Sequence, residues 1–178
     1  MIENIKVPYD RIGVLIGISG STKSEIEKRG EVTIDIDSKA GTVIIESDSI
    51  NALRAVDVVK AIARGFSPER AYRLFDDEMV ILDIIELSKS VSTPKELKRI
   101  MGRIIGKDGK TREIIESLTG SHISVYGKTV SVIGYPEHTQ IVRKAIEMLV
   151  EGAPHGAVYG FLEKKKQELK RAEMDYYM

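Results

Sequence analysis

The chain has 178 residues, 42% hydrophobic and 30% charged, with no cysteine, no tryptophan and a formal net charge of zero. That length buries a core as one large domain or two small ones, and the absence of cysteine excludes disulfides, thiolate metal sites and a thiol nucleophile. The three histidines, His122, His138 and His155, fit no zinc-ligand spacing, so no metal and no cofactor are expected.

Residues 3–8 read as a strand and Tyr9–Ile16 as a short helix, followed by a glycine turn, Gly17-Ile18-Ser19-Gly20, and a helix through Ile26. Thr33–Asp37 alternates polar and apolar, as a half-buried strand does, and Ser38-Lys39-Ala40-Gly41 turns it into a second strand, Thr42–Glu46. A long helix is expected from Ser49 to Ala63, with Leu53, Val56, Val59 and Ala63 on its inner face. Gly65-Phe66-Ser67-Pro68 ends it, Glu69–Phe75 reads as one more short helix, and the acidic Asp76-Asp77-Glu78 is the expected junction. The expected domains are thus residues 1–78 and 79–178.

The second half repeats the order. Ile81–Leu87 reads as a strand, and Ser92-Thr93-Pro94 opens a helix carrying Leu97 and Ile100. A second glycine turn, Gly106-Lys107-Asp108-Gly109, leads into a helix with Ile114, Ile115 and Leu118 at buried spacing. Ile123–Tyr126 and Thr129–Ile133 flank Gly127-Lys128, a two-residue hairpin signal. Pro136 starts the last long helix, Gly152-Ala153-Pro154-His155 stops it, and residues 157–171 form a final helix. An internal repeat underlies this symmetry: Ile16–Lys23 lies 89 positions before Ile105–Arg112, and the same offset pairs Gly13 with Gly102, Ile26 with Ile115 and Glu27 with Glu116.

The second glycine turn carries the chemistry. A turn without Cβ atoms that opens a helix presents unpaired amides and a positive dipole end, which suits a phosphate. Residues 95–112 add seven bases (Lys95, Lys98, Arg99, Arg103, Lys107, Lys110, Arg112) against Glu96 and Asp108, a local charge of +5 in a neutral chain. The equivalent residues 6–23 hold Lys6, Arg11 and Lys23 against Asp10, only +2. Gly109-Lys110-Thr111 echoes the end of a nucleotide-binding P-loop, but that motif needs a glycine at 104, where Ile104 stands, and no nucleophile–base arrangement is legible; no catalysis is expected.

The order β-α-α-β-β-α, twice, with an Ile-Gly-x-x-Gly turn between the first two helices, resembles the KH domain. Gly65–Ala71, Gly102–Gly106, Ile123–Val130 and Gly152–His155 further resemble the Pno/Dim/Krr group of two-KH proteins that assemble the small ribosomal subunit, and the short length is similar to the archaeal members. The resemblance implies an α+β fold of two tandem type I KH domains, each a three-stranded antiparallel sheet with helices on one face. It implies a protein that clamps single-stranded rRNA through Arg103, Ile104, Gly106, Lys107, Asp108, Gly109, Lys110 and Arg112, with Lys98 and Arg99 on the adjoining helix and Ile104 in the base groove. Gly17, Ile18, Ser19, Gly20 and Lys23 of the first copy are weaker candidates, because Ile18 replaces the basic residue. Implied partners are assembly factors, including the endonuclease that trims small-subunit rRNA, and an initiation-factor subunit. A KH-type protein-binding adaptor or translation regulator is the alternative. No apolar run approaches 18 residues and Met1-Ile2-Glu3-Asn4 begins no signal peptide, so a cytoplasmic location without membrane contact is expected.

Overall fold

A computed structural model describes residues 1–178. They divide into two compact units, Met1–Leu82 and Asp83–Met178. Both are α+β.

The first unit runs β1 (Ile2–Lys6), α1 (Tyr9–Ile16), α2 (Ser21–Gly30), β2 (Thr33–Asp37), β3 (Thr42–Glu46), α3 (Ala52–Ala63) and two short helices, α4 (Pro68–Ala71) and α5 (Arg73–Asp76). Its sheet has the order β1-β3-β2, antiparallel throughout, with Ile5 and Ile36 both opposite Val43 and Ile34 opposite Ile45. Period-2 alternation puts Ile34, Val43 and Ile45 on the buried face. Helix α3 buries Ala52, Ala55, Val56, Val59 and Ile62, and Gly30 at the end of α2 lies so close that an added Cβ would stand 2.5 Å from that of Ala55. Leu53, expected inward, is 62% exposed: in a helix lined with alanines the tight approach of α2 selects the Ala55 side and turns Leu53 out.

From Ile81, just before the boundary of the two units, the chain runs β4 (Ile81–Glu86), α6 (Pro94–Ile105), α7 (Lys110–Thr119), β5 (His122–Tyr126), β6 (Thr129–Gly134), α8 (Pro136–Val150) and α9 (His155–Tyr177), with sheet order β4-β6-β5. The expected hairpin is present: β5 and β6 are antiparallel, Tyr126 opposite Thr129. Thr93 caps α6, its Oγ1 accepting the Glu96 amide at 3.2 Å, and Pro94 sits at the first helical position where no N–H is needed. Ile100 and Ile104 of α6, Ile115 of α7, Ile123, Val130 and Val132 of the hairpin, Val142, Ile146 and Leu149 of α8, and Val158 and Leu162 of α9 form one core. Helix α9 begins directly after Pro154 and extends beyond the expected 157–171, its outer turns tied by the Lys165–Glu168 pair at 3.1 Å. No helix is long and apolar enough to cross a membrane.

Candidate nucleic-acid interface

In each unit the glycine turn sits between the first two helices. Gly106 (φ 74°, ψ 172°), Asp108 (φ 55°, ψ 28°) and Gly109 (φ 75°, ψ 12°) repeat Gly17 (75°, 176°), Ser19 (54°, 30°) and Gly20 (77°, 15°). Three left-handed residues in four form a strained path that only glycine, and at single positions Asp, Asn or Ser, takes at low cost. At Gly106 the reason is also steric, since an added Cβ would stand 2.2 Å from Thr111 Oγ1 and 2.7 Å from the Thr111 amide nitrogen; at Gly17 the same atoms of Thr22 lie at 2.4 and 2.7 Å. The Gly106, Gly109 and Lys110 amides donate to Gly102, Gly106 and Lys107 carbonyls, which leaves the tip amides of Lys107 and Asp108 outside the intraloop bonding.

A second layer fixes the turn. Thr111 is buried, and its Oγ1 is 2.9 Å from the Tyr159 hydroxyl on α9. In the first unit Tyr72 bonds the Thr22 side chain in the same way, and burial lifts the Tyr72 phenol above its ordinary pKa. Glu116 accepts the Ile123 amide at 2.9 Å and the Arg112 guanidinium at 3.1 Å; Glu27 likewise accepts the Ile34 amide at 3.3 Å and forms an ion pair with Lys23 at 3.6 Å. Each carboxylate thus joins the second helix to the strand that follows it.

The structure sorts the expected site residues. Arg99, Arg103, Lys107 and Lys110 line one open concavity of ≈ 900 Å³, together with Gly102, Gly106 and Asp108. Lys98, Gly109 and Arg112 are not among its lining residues, although Lys98 is exposed on α6. Ile104 is a correction: it is 0% exposed and belongs to the core, so it forms no groove floor. Successive helical residues are 100° apart, and core packing takes Ile104 while leaving Ile105 half-exposed beside the turn. Arg103 is spent on structure as well, its guanidinium donating to the Leu149 and Ala153 carbonyls at the end of α8. Arg11 does the equivalent for Ile62 and Phe66, at 2.8 and 2.7 Å. Arg112 is held by Glu116, and Lys23 by Glu27. Lys107 and Lys110 are exposed at the tip, whereas the first unit presents Ile18, 89% exposed, and Ser21 at those places.

Two residues of the concavity were not expected at the site from the sequence, although His155 was noted there as a histidine. Tyr159 comes from α9, as does His155, whose Nε2 lies 3.0 Å from the Arg103 carbonyl. The repeat held a signal for the first: at the offset relating Gly65 to Gly152, Tyr159 matches Tyr72.

The model of the second KH domain of PNO1, a eukaryotic-type (type I) KH domain, matches residues 81–167. A KH domain-containing protein of Methanocaldococcus jannaschii is 45% identical over 99% of this chain and 79% of its own length. The pre-rRNA-processing protein PNO1 of Candida albicans is 27% identical over 94% of this chain, which spans 63% of that protein's length. A chain of the crystal structure described as an a/eIF2alpha–aDim2p–rRNA complex from Pyrococcus horikoshii OT3 superposes with a TM-score of 0.88 at 48% identity, covering 94% of this chain and 95% of that one. The glycine turn in its helix–turn–helix setting, the family match across the second unit and the full-length archaeal likeness converge, and the chain belongs to the archaeal KH-domain proteins homologous to the PNO1/Dim2 pre-rRNA-processing proteins.

Proposed function

We propose that the chain is a non-catalytic, cytoplasmic protein that binds single-stranded rRNA during maturation of the small ribosomal subunit, positions it and recruits assembly factors. Both units are read as KH domains. The strand orders and the matched turn dihedrals support that reading for the first unit as well as the second. The observation that carries the function is the second turn: a strained backbone with Lys107 and Lys110 exposed and tip amides outside the intraloop bonding, at the start of α7. Such a turn clamps the backbone of about four nucleotides, and base edges beyond it supply any sequence preference. The roles proposed are phosphate contact for the Gly106–Gly109 backbone, Lys107 and Lys110, a base-groove floor on Ile105, and long-range attraction from Lys98 and Arg99.

The first turn is proposed as a minor RNA contact or a protein contact, because exposed Ile18 replaces the lysine. That residue favours the adaptor reading for the first unit alone. The proposed partners are an rRNA-trimming endonuclease and an initiation-factor subunit; the second is supported by the complex described for the Pyrococcus protein.

The test is fluorescence anisotropy on single-stranded RNA. Lys107→Glu is the decisive variant, since that side chain is exposed, whereas Gly106→Asp also disturbs Thr111. Lys107→Glu is expected to remove most of the affinity, and Ile18→Glu or Gly17→Asp far less. Wild-type affinity should fall with salt at a slope of about −0.7 per neutralised phosphate. A larger loss from the first-unit variants would reverse the assignment, and salt-insensitive binding would refute the clamp.

A further inference from the structure

The duplication provides an internal control. The residues that shape the turn are shared: Gly17 and Gly106, Thr22 and Thr111, Tyr72 and Tyr159. Three cations and a histidine around the concavity are not, since Arg99, Lys107, Lys110 and His155 stand where the first unit has Asp10, Ile18, Ser21 and Pro68. Because both turns adopt the same dihedrals, the fold does not require those four residues.

Their arrangement also has a chemistry. Arg99 of α6 and the two lysines of the turn edge the concavity, against Asp108 and Glu113. Also lining it, the His155 and Tyr159 rings lie 6.2 Å apart, centroid to centroid. The His155 ring is held, because its Nε2–H donates to the Arg103 carbonyl, which can only accept; Nδ1 is then the ring's other polar edge. At ≈ 900 Å³ the space is within the range of about 300–1,000 Å³ that suits a small organic ligand.

We propose that the concavity between α6, the glycine turn and the first turn of α9 is a second nucleotide subsite, next to the backbone clamp. Arg99 takes the phosphate of the nucleotide flanking the clamped ones, and its base or ribose lies against the His155 and Tyr159 rings. Cationic rims with aromatic walls are how single strands are held without strict sequence readout. This subsite rests on the RNA-binding function proposed above and lengthens the footprint beyond four nucleotides.

The experiment compares randomised four-residue and eight-residue single-stranded oligoribonucleotides, titrated by anisotropy against the full chain, with thermal melting to check the fold. Arg99→Asp, which installs the first unit's residue, is expected to weaken the eight-mer about tenfold and the four-mer only about threefold, through lost long-range attraction, while His155→Ala weakens the eight-mer severalfold and the four-mer less than about twofold. The eight-mer salt slope should become shallower by about 0.7 in Arg99→Asp. Equal losses on both lengths, no loss on either, or wild-type eight-mers binding no tighter than four-mers would overturn the subsite. Wild-type protein that binds neither length would instead overturn the RNA-binding function itself, and Lys107→Glu that retains both would overturn the placement of the clamp at the second turn.

Discussion

At Ile104 and Ile105 a single peptide step separates a core residue from a partly exposed one. Ile104 is wholly enclosed with Ile100, Ile115 and Ile146, whereas Ile105 is half-exposed beside Gly106. Removing a buried isoleucine side chain loses its transfer free energy and leaves a cavity, about 2–5 kcal/mol for Ile→Ala. Ile104→Ala should therefore lower the unfolding free energy by that amount in urea titration and leave the intrinsic RNA affinity of the folded fraction unchanged. Ile105→Ala should cost less than half as much stability and weaken RNA binding severalfold. Reversed behaviour would return the groove to Ile104. At the turn, Thr111 fills the space where a Gly106 side chain would go, and Tyr159 holds the Thr111 hydroxyl in place.

Among the elements, α3 carries a titratable group in an apolar setting. Desolvation raises the Asp57 pKa above its ordinary value of 3.8, against the opposing attraction of Lys60 and Arg54. A carboxyl whose folded pKa lies above its unfolded one binds its proton more tightly in the native state. It opposes folding at pH above the folded value, and the penalty disappears as pH falls below the unfolded value. Asp57→Asn should thus stabilise the protein at neutral pH, with the gain shrinking toward zero below about pH 3.8. Denaturation curves for both proteins across that range check the sign; a gain that persists at low pH would point to packing instead. The α2–β2 and α7–β5 joints are of a different kind, each a carboxylate accepting a strand amide and a cation one helical turn back. Those bonds leave Lys23 and Arg112 less free than Lys107 and Lys110 to meet a phosphate.

Across the whole molecule, one scaffold occurs twice with different surface chemistry. If the second turn differs from the first only in its cations, then Ile18→Lys with Ser21→Lys should confer phosphate attraction on the first turn. The double variant is expected to bind longer single-stranded RNA more tightly and to steepen the salt slope by up to about 1.4, which is 0.7 for each new phosphate contact. Anisotropy at several salt concentrations reads this directly. An unchanged slope would mean that the first turn is closed to a polynucleotide for reasons other than charge.

The element order, the duplication and the two glycine turns were legible in the amino-acid sequence because each is a local property. Hydrophobic period, turn chemistry and helix caps act within a few residues, so Tyr9–Ile16 and Thr33–Asp37 emerged with the bounds read from sequence. The cationic cluster at 95–112 was legible for the same reason, as charge density along the chain. What each cation does was not. Arg103 looks like a phosphate ligand until the fold brings the end of α8 to it, whereas the Glu116 that holds Arg112 lies one helical turn along the same helix, a local pairing. His155 and Tyr159 reach the turn from 52 and 48 residues beyond their partners, a proximity that no local pattern encodes. Composition and periodicity determined which segments fold and where charge gathers. Tertiary packing alone decided which isoleucine is enclosed, that Arg103 is spent on the end of α8 and which rings face the turn, because those outcomes depend on contacts between segments distant in the chain.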